Sequence, residues 1–450
     1  MLQQRSIEEE GQNMSNIKSP ETGRSTAKVI AGLVLLATTV SSGATNQFRG
    51  VNWADQRDNF QSGVIYISGL SSTDTYASAS IVADRIVGQF MTKLGSNSVR
   101  LPINEATVNQ YWGTYTGAID MALTKGRVVL CYWGKASGAN PPDMNAWWSM
   151  WSTVMAKYGK NPNFYVEVFN EPSGYSKAEL LSLYDQWLKK FPDFPRKRII
   201  LDGTGLAWGV PDIGSDKRFD SCFLAVHDYT FFAGADMTTE TKWANHIKGY
   251  VGAYSERTIA TEWGGPMSTG SKNGVTYQPM DYSKPATNFF EAYIRGISQQ
   301  LRDWKMGSFY WPGLRDGDWY SMTTRSGSGA NIVLTVSNQS GLARMKYSWT
   351  DTVVSSIHAS GPDALLSGRS KLSFDGTRLR LEFASQTTGS GAVKLFGTDG
   401  RMVKSFPLQV TASDNGSRSF DLSGISNGLY LADLEIDGRS WGPSRILLNR

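Results

Sequence analysis

Two glutamates sit where charge is costly. Glu171 follows the run VEVFN and precedes Pro172, and Glu262 follows TIAT and precedes Trp263 and two glycines. A carboxylate placed directly after an apolar β-type run loses hydration unless it is paired or used. Two carboxyl groups at one mouth are what glycosidic bond cleavage requires: one protonates the leaving oxygen, and the other attacks the anomeric carbon or activates water. Taken singly, each glutamate is equally well read as a salt-bridged rim residue; two of them beside an aromatic-rich rim shift the reading toward chemistry. Other polar or aromatic groups fall in comparable places. Arg100 lies inside SVRLPI, Asn170 stands beside Glu171, His227 closes CFLAVH, and Trp311 closes GSFYW.

These residues need elements that bring them together. Eight short apolar runs recur along the chain: FRGVNW (48–53), SVRLPI (98–103), RVVLCYW (127–133), FYVEVF (164–169), RIIL (198–201), CFLAVH (222–227), RTIATE (257–262) and GSFYW (307–311). Most are apolar nearly throughout, as strands buried on both faces should be. Helical spacing fills the intervals: Ala83, Ile86, Val87, Phe90 and Leu94 keep it after the first run, and Leu180, Tyr184, Trp187 and Leu188 after the fourth. Strand and helix in alternation, eight of each, predict a (β/α)8 TIM barrel with catalytic groups at the carboxyl ends of the strands.

Composition narrows the partners. The 450 residues hold 45 Lys and Arg against 40 Asp and Glu, a formal charge of +5 with no basic run, which argues against nucleic acid. With 40% hydrophobic and 19% charged residues, the chain reads as globular. It has 15 Trp, 19 Tyr and 19 Phe but only 3 His and 2 Cys, so aromatic faces for flat ligands such as sugars are plentiful, whereas a metal site or a disulfide framework is not expected. Cys131 and Cys222 could pair in an oxidising compartment, but both lie in apolar runs and read rather as two buried free thiols.

The ordered set Asn170-Glu171-Pro172, His227-Asp228-Tyr229, Glu262 and Trp311, each after a predicted strand, resembles glycoside hydrolase family 5 over residues 46–350. The resemblance implies a retaining enzyme with Glu171 as acid/base and Glu262 as nucleophile. It further implies that Asn170 binds the sugar 2-hydroxyl, Tyr229 donates to the nucleophile, Arg100 orients it, and Trp311 floors the reacting subsite. His227 is the aligned histidine of the set. The physical expectation is that Arg100 lowers the pKa of Glu262 and that Glu171 holds its proton in a less solvated setting. No cofactor is needed.

One position departs from the pattern. Many family members carry a histidine at the end of strand three, where this chain reads Leu130-Cys131-Tyr132-Trp133-Gly134. Trp133 either stacks a sugar at a neighbouring subsite or caps the barrel. Trp53, Trp112, Trp208, Trp263 and Trp319 fall in or near strand-end loops and are candidates for further subsites. Trp147, Trp148 and Trp151 lie in a helical stretch and read as outer packing, and His246 as structural.

The two ends differ from the middle. Residues 29–40, VIAGLVLLATTV, follow Arg24 and Lys28 and precede Ser42, Gly43 and Ala44, a secretory leader pattern with cleavage expected after Ala44. The run is shorter than the roughly 20 apolar residues of a spanning helix, so a cleaved leader is favoured over the alternative of an uncleaved anchor. After a linker at 351–371, residues 372–450 alternate apolar and polar positions, with hairpin signals at Asp399-Gly400 and Asp437-Gly438, and predict a small β-sandwich. This segment resembles carboxy-terminal secretion or sorting modules of bacterial enzymes; sugar binding is the rival role, with Tyr430 and Trp441 as its only rings. The expectation is a secreted or surface-attached monomer that cleaves a polysaccharide such as β-1,4-glucan or β-mannan, without a membrane span in the mature chain. The alternative is a non-catalytic polysaccharide-binding protein.

Overall fold

The computed structural model describes residues 47–134, 143–234 and 236–349, and, towards the carboxyl end, 371–374, 378–382, 389–397, 402–410, 417–426, 428–436, 439–440 and 444–448. The leader pattern, nearly all of the linker, Asp399-Gly400, Asp437-Gly438 and Trp441 lie outside the described residues.

Eight parallel strands close into a barrel: β1 (Arg49–Trp53), β2 (Ser98–Ile103), β3 (Arg127–Tyr132), β4 (Phe164–Glu167), β5 (Ile199–Asp202), β6 (Phe223–Asp228), β7 (Thr258–Trp263) and β8 (Ser308–Leu314). Each coincides, within a few residues, with a run read from the sequence. Outside it pack helices α1 (Tyr76–Gln89), α2 (Trp112–Lys125), α3 (Met144–Tyr158), α4 (Lys177–Lys190), α5 (Glu240–Val251), α6 (Phe289–Asp303) and α7 (Gln339–Ser348). All of these but α2 start on a side-chain cap. At α4, for example, Ser176 and Glu179 satisfy each other's backbone N–H groups.

The expected eighth long helix is absent among the described residues. Between β5 and β6 stand two short pieces, Thr204–Ala207 and Val210–Gly214. Glycines 203, 205, 209 and 214 together with Pro211 interrupt any longer helix, and Gly205 takes φ +69°. Two antiparallel hairpins that the sequence reading did not anticipate follow β7 (Gly270–Lys272 with Val275–Tyr277) and β8 (Thr323–Ser326 with Val333–Val336).

Alternation along each strand sorts the barrel into two compartments. Outward residues such as Leu130, Val166, Leu201 and Leu224 join the large cluster shared with the helices. Inward residues Val129, Tyr165, Ile200, Ala225 and Ile259 close with Phe48, Phe223 and Phe309 into a separate apolar plug. Gly50 is required there, because a Cβ would stand 2.1 Å from the Phe309 ring.

The carboxy-terminal region has two antiparallel sheets. One pairs Lys371–Phe374, Arg378–Glu382 and Ser417–Asp421. The other joins Met402–Val410, Gly389–Gly397, Gly428–Ile436, Arg439–Ser440 and Ser444–Leu448. Leu379 and Phe420 from the first meet Val393, Leu395, Leu408 and Ala432 from the second in one apolar cluster, as in a sandwich.

Candidate active site

The inward positions explain the site. Two residues beyond Val129, Tyr165, Ile200 and Ala225 on the same strands stand Cys131, Glu167, Asp202 and His227. Above an apolar plug, the next inward layer is therefore polar and lies toward the carboxyl ends of the strands, where barrel enzymes carry their chemistry. On β7 the register with β6 slips: Ala225 pairs with Ile259, but His227 pairs with Glu262. The extra residue in β7 lets Thr261 and Glu262 both reach the mouth, which strict alternation forbids. Gly264 follows, where a Cβ would lie 2.0 Å from the carbonyl oxygen of Trp311.

Arg100, fully buried on β2, organises this layer. Its Nε and Nη2 donate to Glu167 at 2.6 and 3.1 Å, a two-pronged pair. Its Nη1 donates to Asn52 at 2.9 Å and to Oε1 of Glu262 at 2.5 Å, and Nη2 also donates to Oδ1 of Asn170 at 2.7 Å. Asn170 is thereby fixed with its amide Nδ2 buried and without a partner among the described residues, a donor left for a ligand.

Glu262 takes its second oxygen's hydrogen bond from the Tyr229 hydroxyl at 2.8 Å. Glu171 presents Oε1 to Nδ1 of His227 at 2.8 Å, and Nε2 of the same ring meets Thr261 at 3.0 Å. The backbone of Glu171 is left-handed, φ +51°, and its N–H donates to Oδ2 of Asp202 at 2.9 Å. One oxygen of Glu171, one oxygen of Glu262 and a nitrogen of His227 all lie within 4.8 Å of one another. That spacing matches the ~5 to 5.5 Å of direct attack by a carboxylate, and is shorter than the ~6.5 to 9.5 Å that leaves room for a water.

Four carboxyl groups face two cations, which burial penalises unless protons make up the difference. Burial, reinforced by the charge of Glu167, holds Asp202 well above the usual carboxylate range, which favours its neutral form. For Glu167, burial opposes ionisation, but Arg100 and His227 overcome it and hold the carboxyl down at about 2. Burial disfavours charge on His227 too, yet Glu262, Glu167 and Glu171 keep the ring well above its ordinary value, which favours the cation. For Glu262, burial outweighs His227, Arg100 and the Tyr229 hydroxyl, and the net direction is upward. This corrects the expected sign: Arg100 does favour the anion, but desolvation is the larger effect.

Two triads, Glu167–Asp202–His227 and Glu171–His227–Glu262, gather ligand-type atoms within 4.8 Å. Both lie against the Arg100 guanidinium, and both nitrogens of His227 are already hydrogen-bonded. The donors are arranged for proton and charge chemistry, and a divalent cation there would meet like charge.

The aromatic candidates separate. Trp311 and Trp133 stack with centroids 5.4 Å apart and planes at 23°, Phe60 packs edge-on against Trp133 at 4.5 Å, and the guanidinium of Arg100 lies 5.7 Å from the Trp133 ring. Trp133 thus backs Trp311 at the mouth, and its Nε1 has no partner among the described residues. Trp53 and Trp263 do not belong to the site. Both are 0% exposed, pointing outward from β1 and β7 into the helix-facing core, so neither offers a face to a sugar. Trp112 and Trp319 pack against that core from its edge. Trp147 and Trp151 are buried in it as expected, and His246 pairs with Asp228 at 3.1 Å. Cys131 and Cys222 are buried free thiols.

Sequence reasoning passed over Glu167, Asp202, Asn52 and Thr261. Glu167 carried a usable signal, since a glutamate in the middle of the apolar run FYVEVF must have a buried partner. Asp202 directly follows RIIL, as Glu171 follows VEVFN, and was visible by the same rule.

The sequence profile of the family described as cellulase, glycosyl hydrolase family 5, matches residues 66–293. Both Glu171 and Glu262 fall inside that span. Among solved structures, the chain is similar to a triply mutated endo-β-1,4-glucanase of Xanthomonas axonopodis pv. citri, at 12% identity over 67% of this chain and 98% of the other, with a TM-score of 0.46. It is similar to Cel5A (EG2) of Hypocrea jecorina at 15% identity over 66% and 97%, TM-score 0.46. It is also similar to the Pseudomonas stutzeri endoglucanase Cel5A solved with cellobiose, at 13% over 66% and 91%, TM-score 0.43. No curated protein matches the chain.

Proposed function

The chain belongs to glycosyl hydrolase family 5 and is an O-glycosyl hydrolase, and from that premise we propose that it cleaves β-1,4-glucan within the chain by double displacement, with retention at the anomeric carbon. The observation that carries this reading is the approach of Glu171 and Glu262 within 4.8 Å.

Glu262, oriented by Arg100 and Tyr229, attacks the anomeric carbon, while Glu171 gives its proton to the departing glycosidic oxygen. With Oε1 held by His227, Oε2 of Glu171 is the oxygen that carries the proton. The glycosyl group is then covalently bound to Glu262, whose charge has gone. Glu171, now ionised, takes a proton from water, whose oxygen attacks the same carbon and frees Glu262. The unpartnered amide of Asn170 donates to the sugar 2-hydroxyl, an interaction that tightens as charge develops. Trp311, backed by Trp133, supplies the floor.

Secretion belongs to the same proposal and is supported by the leader pattern at residues 29–44. Among the described residues no helix is long and apolar enough to cross a membrane. For the carboxy-terminal module, attachment or sorting is favoured over sugar binding. Tyr430, one of its two candidate rings, is 9% exposed and spends its hydroxyl on the Ser426 carbonyl oxygen.

The test is a panel of β-1,4-glucan, β-mannan and mixed-linkage glucan with product sizing, using Glu262→Ala as the blank. Rapid loss of glucan chain length before small sugars accumulate is expected. Release of small sugars alone, or preference for mannan, would contradict the substrate assignment.

A further inference from the structure

The line from Glu171, beyond β4, to Glu262 on β7 divides the barrel mouth into two unequal arcs. The longer arc, β8, β1, β2 and β3, carries Trp311 and Trp133. The shorter arc is β5 and β6 alone, and the segments following those strands carry Trp208, Phe231 and Phe232. A chain cut between the two carboxyl groups must cross this line, with the glycosyl unit over one arc and the leaving group over the other.

Phe231 and Phe232 are 52% and 54% exposed, beyond every other aromatic side chain among the described residues. Leaving adjacent rings in water forgoes apolar burial, and contiguous exposed apolar surface beside a site marks a binding face. The rings are also fastened. Phe231 lies nearly parallel to Tyr229, centroids 5.0 Å apart at 27°, and to Tyr320, 5.8 Å apart at 14°. Thr230 between the two is buried, and its carbonyl oxygen accepts from Nζ of Lys272 at 2.6 Å. Phe232 meets Trp208 edge-on at 5.6 Å, and Trp208 stacks on Tyr250 at 5.6 Å and 16°. The ledge begins at the reaction centre, because the Tyr229 hydroxyl donates to Oε2 of Glu262. Binding there costs little further ordering of side chains.

We propose that Phe231, Phe232 and Trp208 form the subsites for β-linked glucose units on the leaving-group side of the scissile bond. The proposal rests on the double-displacement reading above, with Trp311 on the glycosyl side. The apolar face of an equatorially substituted sugar ring matches an aromatic surface, and the continuity of this ledge with Tyr229 commits it to the same chain that Glu262 attacks.

The test compares a substrate that fills these subsites with one that cannot. Cellohexaose places sugars on both arcs. In β-cellotriosyl fluoride the C–F bond breaks as Glu262 bonds to the anomeric carbon from the opposite face, and fluoride leaves with the electron pair, so no sugar lies over the β5–β6 arc. For the double variant Phe231→Ala, Phe232→Ala, and separately for Trp208→Ala, kcat/KM on cellohexaose should fall roughly tenfold. On the fluoride it should stay within about twofold of wild type, because both variants leave the Tyr229 hydroxyl on Glu262 and Tyr320 packed against Trp319. Equal losses on both substrates, or none on cellohexaose, would overturn the subsite assignment, and retained fluoride turnover certifies folding. A wild-type protein inert toward the fluoride would instead overturn the carboxylate reading, and the subsites with it.

Discussion

Glu171 holds a left-handed backbone, φ +51°, and donates its N–H to Oδ2 of Asp202 at 2.9 Å. A non-glycine residue in that region costs on the order of 1–3 kcal/mol, and Pro172 restricts the conformation further. Asp202, fixed on β5 with its own carbonyl oxygen accepting from the Tyr184 hydroxyl, holds the strained peptide in place. The proposed proton donor is therefore aimed by a buried carboxyl group, Asp202, whose neutral form burial favours.

This makes Asp202→Ala and Asp202→Asn differ sharply. The alanine variant loses the acceptor, and kcat on β-glucan should fall about 100-fold, the scale of a small misplacement of a reacting group. On an aryl glycoside with a good leaving group, which needs no proton, the loss should be much smaller. Asparagine keeps an acceptor oxygen and no charge, so it should retain most activity. Equal losses on both substrates, or an asparagine variant as poor as the alanine, would assign Asp202 to fold stability alone.

The pH profile follows from Glu262. Its carboxyl is raised by burial and attack needs the anion, so kcat/KM should fail on the acid side at a pH above that of an ordinary carboxylate. Tyr229→Phe removes a hydrogen bond that favours the anion. The acid limb should then move to still higher pH, with kcat down roughly tenfold. A limb that stays put or moves down would contradict the role of Tyr229 at Glu262.

Glu167 sets a pH window for stability. Held down at about 2 in the folded protein, it stabilises above the unfolded carboxylate value, and that contribution is lost as pH falls toward 2. Glu167→Ala leaves Arg100 short of a buried partner and should cost ~3 to 5 kcal/mol, with a weaker acid dependence of Tm. An unchanged dependence would show that Arg100 and Glu167 do not act as a pair.

Much of this was legible in the sequence because a parallel barrel writes itself as repeated apolar runs, and all eight strands fall within a few residues of the runs. The candidate catalytic layer was legible where polarity interrupts hydrophobicity at a strand end, as at Glu171, His227 and Glu262. It was missed at Glu167, where the charge lies inside the run. Trp53 and Trp263 misled because a tryptophan beside a strand end looks alike whether it points into the mouth or into the helix layer, and only the pleat decides. The short β5–β6 connection was hidden by counting helices by alternation, although its glycines and Pro211 were plain. The slip on β7 that frees Glu262 has no signature in one strand alone, since it exists only in the pairing with the neighbours β6 and β8.

The most direct measurement is the anomeric configuration of the first-formed product, followed by proton NMR before mutarotation. Glu171 and Glu262 oxygens within 4.8 Å predict that the new reducing end appears first as the β-anomer. Initial appearance of the α-anomer would mean that water attacks directly, and would contradict Glu262 as nucleophile.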